Sequence, residues 1–274
     1  MTNDPVAFSD ANLAGEFQIR ELHCQLLETS DGSFSLRYSA DHNQMTEPMH
    51  SSKGAWSETL EIYEPALKAS LLFLGPSQKW QVASIGLGLG YNEILAAGVA
   101  MAHRIEPEKI SIVSFESRPE LIEVFKTYFE NAPPPDECCF LEDVYADIVQ
   151  RTAELLNLEQ QQLRAFICSL ISHNQLELRE SLNLKSLQHL SSSPQLRGCI
   201  LFDAFSPSSS PDLWNQDLLE AMIEFLAGPK CVFASYASRT VLKKALKKFG
   251  FKLEKRAGFA GKREATFAVR NTPC

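Results

Sequence analysis

Gln81-Val82-Ala83-Ser84-Ile85 runs directly into Gly86-Leu87-Gly88-Leu89-Gly90-Tyr91-Asn92, and helical apolar spacing resumes from Tyr91. A five-residue apolar run followed by alternating glycines and a helix reads as a β-strand that turns sharply into a helix, the first half of a βαβ unit. Working outward, strand-like runs at Ile110 to Phe115, Ala165 to Ile171, Gly198 to Phe202, Cys231 to Tyr236 and Ala265 to Val269 alternate with helical periods. The helices are expected from Pro119, near Leu176 to Leu190, from Pro211 and from Arg239. Alternation of this kind predicts an α/β protein of Rossmann-like architecture, with a doubly wound, mostly parallel sheet covered on both faces. Such sheets bind ligands at the carboxyl ends of their strands, so the functional residues are expected just after the apolar runs.

Residues 1–74 read as an N-terminal extension of a main domain spanning 75–274. Glu21 to Glu28 and Ser33 to Tyr38 alternate in polarity around Thr29-Ser30-Asp31-Gly32, which predicts a β-hairpin. From Ser57 the spacing Leu60, Tyr63, Leu67, Leu71 predicts a helix to about Phe73. Pro133, Pro134 and Pro135 mark a loop, and a short strand near Cys138 to Leu141 is expected before another helix.

The glycine loop carries chemistry as well as shape. Glycines at a strand-to-helix turn let the backbone bend and approach a ligand where a Cβ would clash. The spacing is GxGxG; the dinucleotide fingerprint GxGxxG places its third glycine differently. A nucleoside without a pyrophosphate, as in S-adenosyl-L-methionine, suits this loop better. The next strand ends Ser114-Phe115-Glu116, where an acid is placed to accept hydrogen bonds from ribose hydroxyls. A tight structural turn and an exposed helix-start acid are the plainer readings of the same residues.

A third segment makes the pattern specific. The strand to Phe202 continues as Asp203-Ala204-Phe205-Ser206-Pro207, with Pro211-Asp212-Leu213-Trp214 beyond. This resembles the DGFAPxxNPxxW signature of the MnmC methyltransferase domain, which acts in tRNA 5-methylaminomethyl-2-thiouridine biosynthesis. Gly86 to Asn92 resembles that family's GFGTGLN, Ser114 to Glu116 its SFE, Gly258 to Glu264 its GFGRKRE, and His50 to Glu58 the HSxxGAxxE of stand-alone members. The ordered match runs from about Phe34 to Val269.

The resemblance implies a class I S-adenosyl-L-methionine-dependent methyltransferase that methylates the amine of 5-aminomethyl(-2-thio)uridine at the tRNA wobble position. It implies that Gly86, Gly88, Gly90, Asn92, Glu116, Glu58 and His50 serve the cofactor. Asp203 is expected to face the substrate amine and Phe205 the target base, with Pro207, Trp214, Lys243, Lys244, Lys262 and Arg263 toward tRNA. The chain departs from the pattern twice: Ser84 stands where the family has an acid, and no Gly-Asp follows the fourth expected strand, where Ser172-His173-Asn174 is found. The flavin-dependent oxidase half of fused relatives is also missing from a chain that ends at Cys274, so separate partner enzymes are expected to make the aminomethyl intermediate.

Bulk properties fit an ordinary globular protein of 274 residues, 45% hydrophobic and 22% charged. The seven scattered cysteines show no zinc spacing, and no metal is expected. No apolar run approaches membrane-span length and Met1 to Asp10 shows no leader pattern, so a cytoplasmic protein is expected. Net charge is −8, which opposes polyanion binding, yet ten of the 26 basic residues fall between Arg239 and Arg263. That run is either a nucleic-acid face or a solvated helix face. Methylation of a small molecule or a protein, and a non-catalytic nucleoside-binding homologue, stay open on these grounds.

Overall fold

The computed structural model describes residues 15–39, 45–75, 78–132, 140–190, 197–261 and 264–272. A seven-stranded sheet forms its centre: β4 (Trp80–Ile85), β5 (Ile110–Phe115), β6 (Leu176–Arg179), β7 (Arg197–Phe202), β8 (Ala227–Ser235), β9 (Lys252–Arg256) and β10 (Ala265–Asn271). Their spatial order is β6-β5-β4-β7-β8-β10-β9, parallel from β6 to β8, with β10 antiparallel to both its neighbours. The order reverses at β4 and β7, the neighbours whose carboxyl ends open the crevice of a doubly wound sheet.

Successive strand residues serve opposite layers. Val82, Ile112, Leu201 and Val232 enter the core beneath α3 (Tyr91–Ala102), α4 (Pro119–Phe129), α5 (Phe140–Leu156) and α6 (Gln160–Ser172). Ala83, Val113, Ile200 and Phe233 enter the core beneath α7 (Leu184–Leu190), α8 (Gln216–Leu226) and α9 (Thr240–Lys248). Period-two alternation with both faces apolar is what a sheet buried on two sides requires.

The predicted hairpin forms as β2 (Leu22–Glu28) and β3 (Phe34–Ser39), joined on the other side by β1 (Glu16–Ile19), which the sequence reading did not anticipate. Asp31 in its turn accepts hydrogen bonds from the Ser57 N–H and hydroxyl at the start of α1 (Ala55–Ile62). Burial pushes the Asp31 carboxyl up, but the hydrogen bonds from Ser33, Ser57 and Thr29 outweigh it and hold the group well below its usual range. The helix expected from Ser57 to Phe73 is in fact two, α1 and α2 (Glu64–Leu71), broken at Tyr63. Pro65 lacks an N–H and crowds the preceding turn, so a continuous helix cannot pass. The extension shares one apolar core with the main sheet, from Leu22 and Leu36 through Tyr63 and Leu67 to Tyr91 and Ile94.

Two expectations are overturned. Ala165 to Ile171 lies inside helix α6, not in a strand, and Leu176 opens the short edge strand β6 instead of a helix. The buried residues Leu163, Ile167, Leu170 and Ile171 keep helical spacing, but a seven-residue apolar window cannot distinguish the two forms. Phe140 and Leu141 begin helix α5; Cys138, Cys139 and Pro133 to Pro135 lie outside the described residues. Strand β9 was not expected, because KLEKR buries no residue and offers no apolar alternation. No helix among the described residues is long and apolar enough to cross a membrane.

Candidate active site

The carboxyl ends of β4, β5 and β7 remain bonded into the loops that follow them. The Gly86 N–H donates to the Phe115 carbonyl at 2.9 Å and the Asp203 N–H to the Ile85 carbonyl at 2.8 Å. These ends frame a cavity of about 480 Å³ bordered by Met49, His50, Gly86, Gly88, Glu116, Asp203 and Phe205, and on the β6 side by Ser181, Leu182 and Asn183.

Gly86, Gly88 and Gly90 all have positive φ, at 102°, 52° and 77°. A Cβ on Gly86 would stand 2.4 Å from the Asp203 carbonyl oxygen, and one on Gly90 would stand 2.3 Å from the Phe125 ring. Those two glycines are therefore demanded by the packing of the loop itself. Gly86 also borders the cavity; Gly90 does not. A Cβ on Gly88 would meet only the flexible end of Met49, at 2.9 Å.

Glu116 is buried, at 7% exposure, and its Oε2 accepts the Gly88 N–H at 3.0 Å while Oε1 accepts the Arg118 N–H at 3.0 Å. Burial raises its ionisation above the usual carboxylate range, partly opposed by those N–H groups. An acid stands beside Ser84 from the other side of the turn. Glu93, on the first turn of α3, is fully buried against Ser84 and accepts the Ser114 hydroxyl at 2.6 Å; the two serines are register partners on β4 and β5. Burial pushes the Glu93 carboxyl up to about 7.

Asp203 has a different donor on each carboxylate oxygen: the Tyr63 hydroxyl reaches Oδ1 at 2.6 Å and the Asn92 amide reaches Oδ2 at 2.9 Å. His50 Nε2 is 3.9 Å from Oδ2. Burial raises the Asp203 carboxyl above its ordinary range and Glu58 adds to this, whereas His50, Tyr63 and Asn92 oppose it. The His50 ring packs edge-on to Tyr91 with centroids 5.0 Å apart, and both its buried nitrogens are without a hydrogen-bond partner.

The remaining expected residues fall in varied places. Asn92 and Glu58 do not border the cavity: Asn92 bonds Asp203, and Glu58 accepts the Ser51 N–H at 2.8 Å. Phe205 borders the cavity edge-on to Tyr38, with centroids 5.8 Å apart. Trp214 lies behind it, donating to the Phe205 carbonyl at 2.7 Å and packing on Phe202. Pro207 borders a second opening with Ser206, Arg239, Lys243 and Glu264. Lys243 pairs with Glu264 at 2.6 Å, Lys248 with Glu220, and Arg256 with Glu254. Lys244 and Lys247 are exposed, and Lys262 and Arg263 lie outside the described residues. Tyr63 and the segment Ser181 to Asn183 were missed by sequence reasoning; the mislaid β6 hid the latter, and nothing in its spacing marks the former. Among the described residues no group of three or more His, Cys, Asp or Glu could hold a metal ion.

Residues 153–271 match the family model described as S-adenosyl-L-methionine-dependent methyltransferase. The MnmC2 protein of Aquifex aeolicus superposes over 95% of this chain and 72% of its own, with a TM-score of 0.56 at 22% identity. The TDP-rhamnose 3′-O-methyltransferase CalS11 of calicheamicin biosynthesis aligns over 75% of this chain and 76% of its own, at 14% identity and a TM-score of 0.40. The rRNA methyltransferase AviRa of Streptomyces viridochromogenes aligns over 75% and 82%, at 12% identity and 0.41. The family match covers less than half of the chain, and the likeness to MnmC2 shows a shared fold. That protein belongs to the family whose motifs this chain resembles.

Proposed function

We propose that this chain transfers a methyl group from S-adenosyl-L-methionine to the primary amine of 5-aminomethyl(-2-thio)uridine at the tRNA wobble position. The observation that carries the reading is Asp203: a carboxylate at the end of β7, held on both oxygens, bordering the cavity next to the glycine loop with Phe205 nearby. The family match and the MnmC-like architecture support it.

The cavity residues fit the cofactor. Gly88 leaves the loop open, Glu116 offers a buried carboxylate beside it, and His50 lines the same cavity. Gly86, Gly88, Glu116 and His50 would hold it, with Ser181 to Asn183 walling the end nearest β6. Asn92 and Glu58 act from behind, by fixing Asp203 and Ser51. When bound, the cofactor supplies an electrophilic methyl on a sulfonium that departs as a neutral thioether.

The chain's part is positioning and proton handling. An alkylammonium has no free lone pair, so Asp203 first holds it as an ion pair and then takes one proton, which frees the nitrogen lone pair that attacks the methyl carbon. A carboxylate whose affinity for protons is raised by burial suits that second task. Phe205 and Tyr38 set the base at the cavity edge, and in-line placement is worth up to about 7–11 kcal/mol in favourable systems. Residues 1–74 are an extension that walls the site of a methyltransferase domain at 75–274, because Met49 and His50 come from it. Arg239, Lys243 and Lys244, with Lys262 and Arg263, would face the tRNA backbone, and other enzymes would supply the aminomethyl intermediate.

The test is transfer of labelled methyl to tRNA carrying 5-aminomethyluridine, with Asp203→Ala as control. Tight cofactor binding without transfer to that tRNA would turn the reading toward a small-molecule or protein substrate.

A further inference from the structure

Tyr63 sits at the break that Pro65 imposes between α1 and α2, and its side chain is fully buried. Its hydroxyl lies between Oδ1 of Asp203, at 2.6 Å, and the backbone N–H of Tyr236 at the end of β8, at 3.4 Å. An N–H can only donate, so the hydroxyl accepts there and its single proton is committed to Asp203. Burial, with the Asp203 charge beside it, drives Tyr63 ionisation well above the usual tyrosine range, so that proton stays in place.

We propose that Tyr63 is a positioning residue for methyl transfer, holding Oδ1 of Asp203 so that the side chain meets the amine as an oriented carboxylate; this rests on the reading of Asp203 given above. The groups that face Asp203 come from every side. His50 approaches from the loop before α1, Glu58 from α1, Asn92 and Glu93 from α3, and Tyr236 from the end of β8. Burial and the negative charge of Glu58 favour the protonated acid, and Tyr63, Asn92 and His50 work against them. Among the described residues Tyr63 is the hydrogen-bond donor to Oδ1 and Asn92 the donor to Oδ2, so losing either frees one edge of the carboxyl to turn or to take a proton. A hydroxyl from the N-terminal extension thus governs a group on the main sheet.

Tyr63→Phe removes only the hydroxyl. Titration of the Asp203 carboxyl, followed by ¹³C resonance in aspartate-labelled protein and assigned with Asp203→Asn, is expected to move up by about 1–2 pH units, the size of a lost hydrogen bond to a charged group. The acid limb of the methyl-transfer profile should move with it, while cofactor affinity stays the same. Tyr91→Phe is the control: its hydroxyl bonds the Phe34 backbone and Ser33 and not Asp203, so the midpoint should not move. If the Tyr63→Phe protein does not fold, 3-fluorotyrosine placed at 63, a stronger donor of the same shape, should lower the midpoint instead. An unmoved midpoint in a folded Tyr63 variant, or the same displacement in Tyr91→Phe, overturns the proposal. The carboxyl titration needs no substrate, so its outcome stands apart from whether tRNA is methylated.

Discussion

The backbone N–H of Gly88 donates to the side-chain carboxylate of Glu116 across 3.0 Å, so the glycine loop and the acid of the next strand are bonded to each other. A side chain at 88 acts on both at once. Gly88→Asp places a second carboxylate beside the first and a Cβ 2.9 Å from the Met49 sulfur, in a backbone of positive φ. Calorimetric titration with S-adenosyl-L-methionine should show at least a tenfold loss of affinity, about 1.4 kcal/mol. Parent-like affinity would mean the loop does not hold the cofactor. Gly90→Ala behaves differently, because its Cβ would stand 2.3 Å from the Phe125 ring, and it should lower the melting temperature.

Asp203→Ala should cut turnover by about 10² or more, the scale of a positioned acid–base group, with cofactor affinity nearly unchanged. Single-turnover rates and calorimetry separate the two. Equal losses in both would reduce Asp203 to a turn residue whose carbonyl lies against Gly86.

Glu93 gives the fold itself a pH dependence. Its carboxyl titrates near 7 in the folded chain against the usual 4.5, so between those values the native state keeps a proton that the unfolded chain has lost. Stability conferred by that proton is complete below about pH 4.5, falls as pH rises to about 7 and stays lost above it. Glu93→Gln, which can still accept from Ser114, should stabilise the protein at pH 8 by up to about 3 kcal/mol and have little effect at pH 4.5. Thermal melts across this range check it; a gain independent of pH would assign the effect to something other than titration.

Helix α9 turns back from the cavity edge, so Arg239 and Lys243 lie at its site end and Lys247 and Lys248 at the other. Replacing Lys243, Lys244, Lys247 and Lys248 with Gln should flatten the salt dependence of tRNA affinity by about 0.7–0.9 in log–log slope per lost phosphate contact. Most of that should come from Lys244 and Lys247, since Lys243 and Lys248 already pair with Glu264 and Glu220. An unchanged slope would make the run a solvated helix face.

The strands that flank the site were legible because burial on both faces leaves short, mostly apolar runs without charge: Ile110 to Phe115 matches β5 residue for residue. The edges were not. Strand β6 is four residues long, and β9 buries none of its five. The charged β9 is also an edge strand, where lysine and arginine discourage pairing with other chains, so part of the basic run has a structural reason. At the site, the motifs marked Gly88, Glu116, Asp203 and Phe205 where they border the cavity, and His50 with them. They could not mark Tyr63, whose contact with Asp203 spans 140 residues, or Glu93, whose buried carboxyl lies beside Ser84 and Ser114.

The most direct measurement is the mass of the wobble-uridine nucleosides in tRNA from cells with and without this protein, with purified protein and S-adenosyl-L-methionine added back to the deficient tRNA. The proposed activity predicts 5-aminomethyl(-2-thio)uridine in the deficient tRNA, converted by the added protein into its N-methyl product and not converted by Asp203→Ala. Identical nucleosides in both tRNA pools, with no methyl gained on addition of a protein that binds the cofactor, would contradict it.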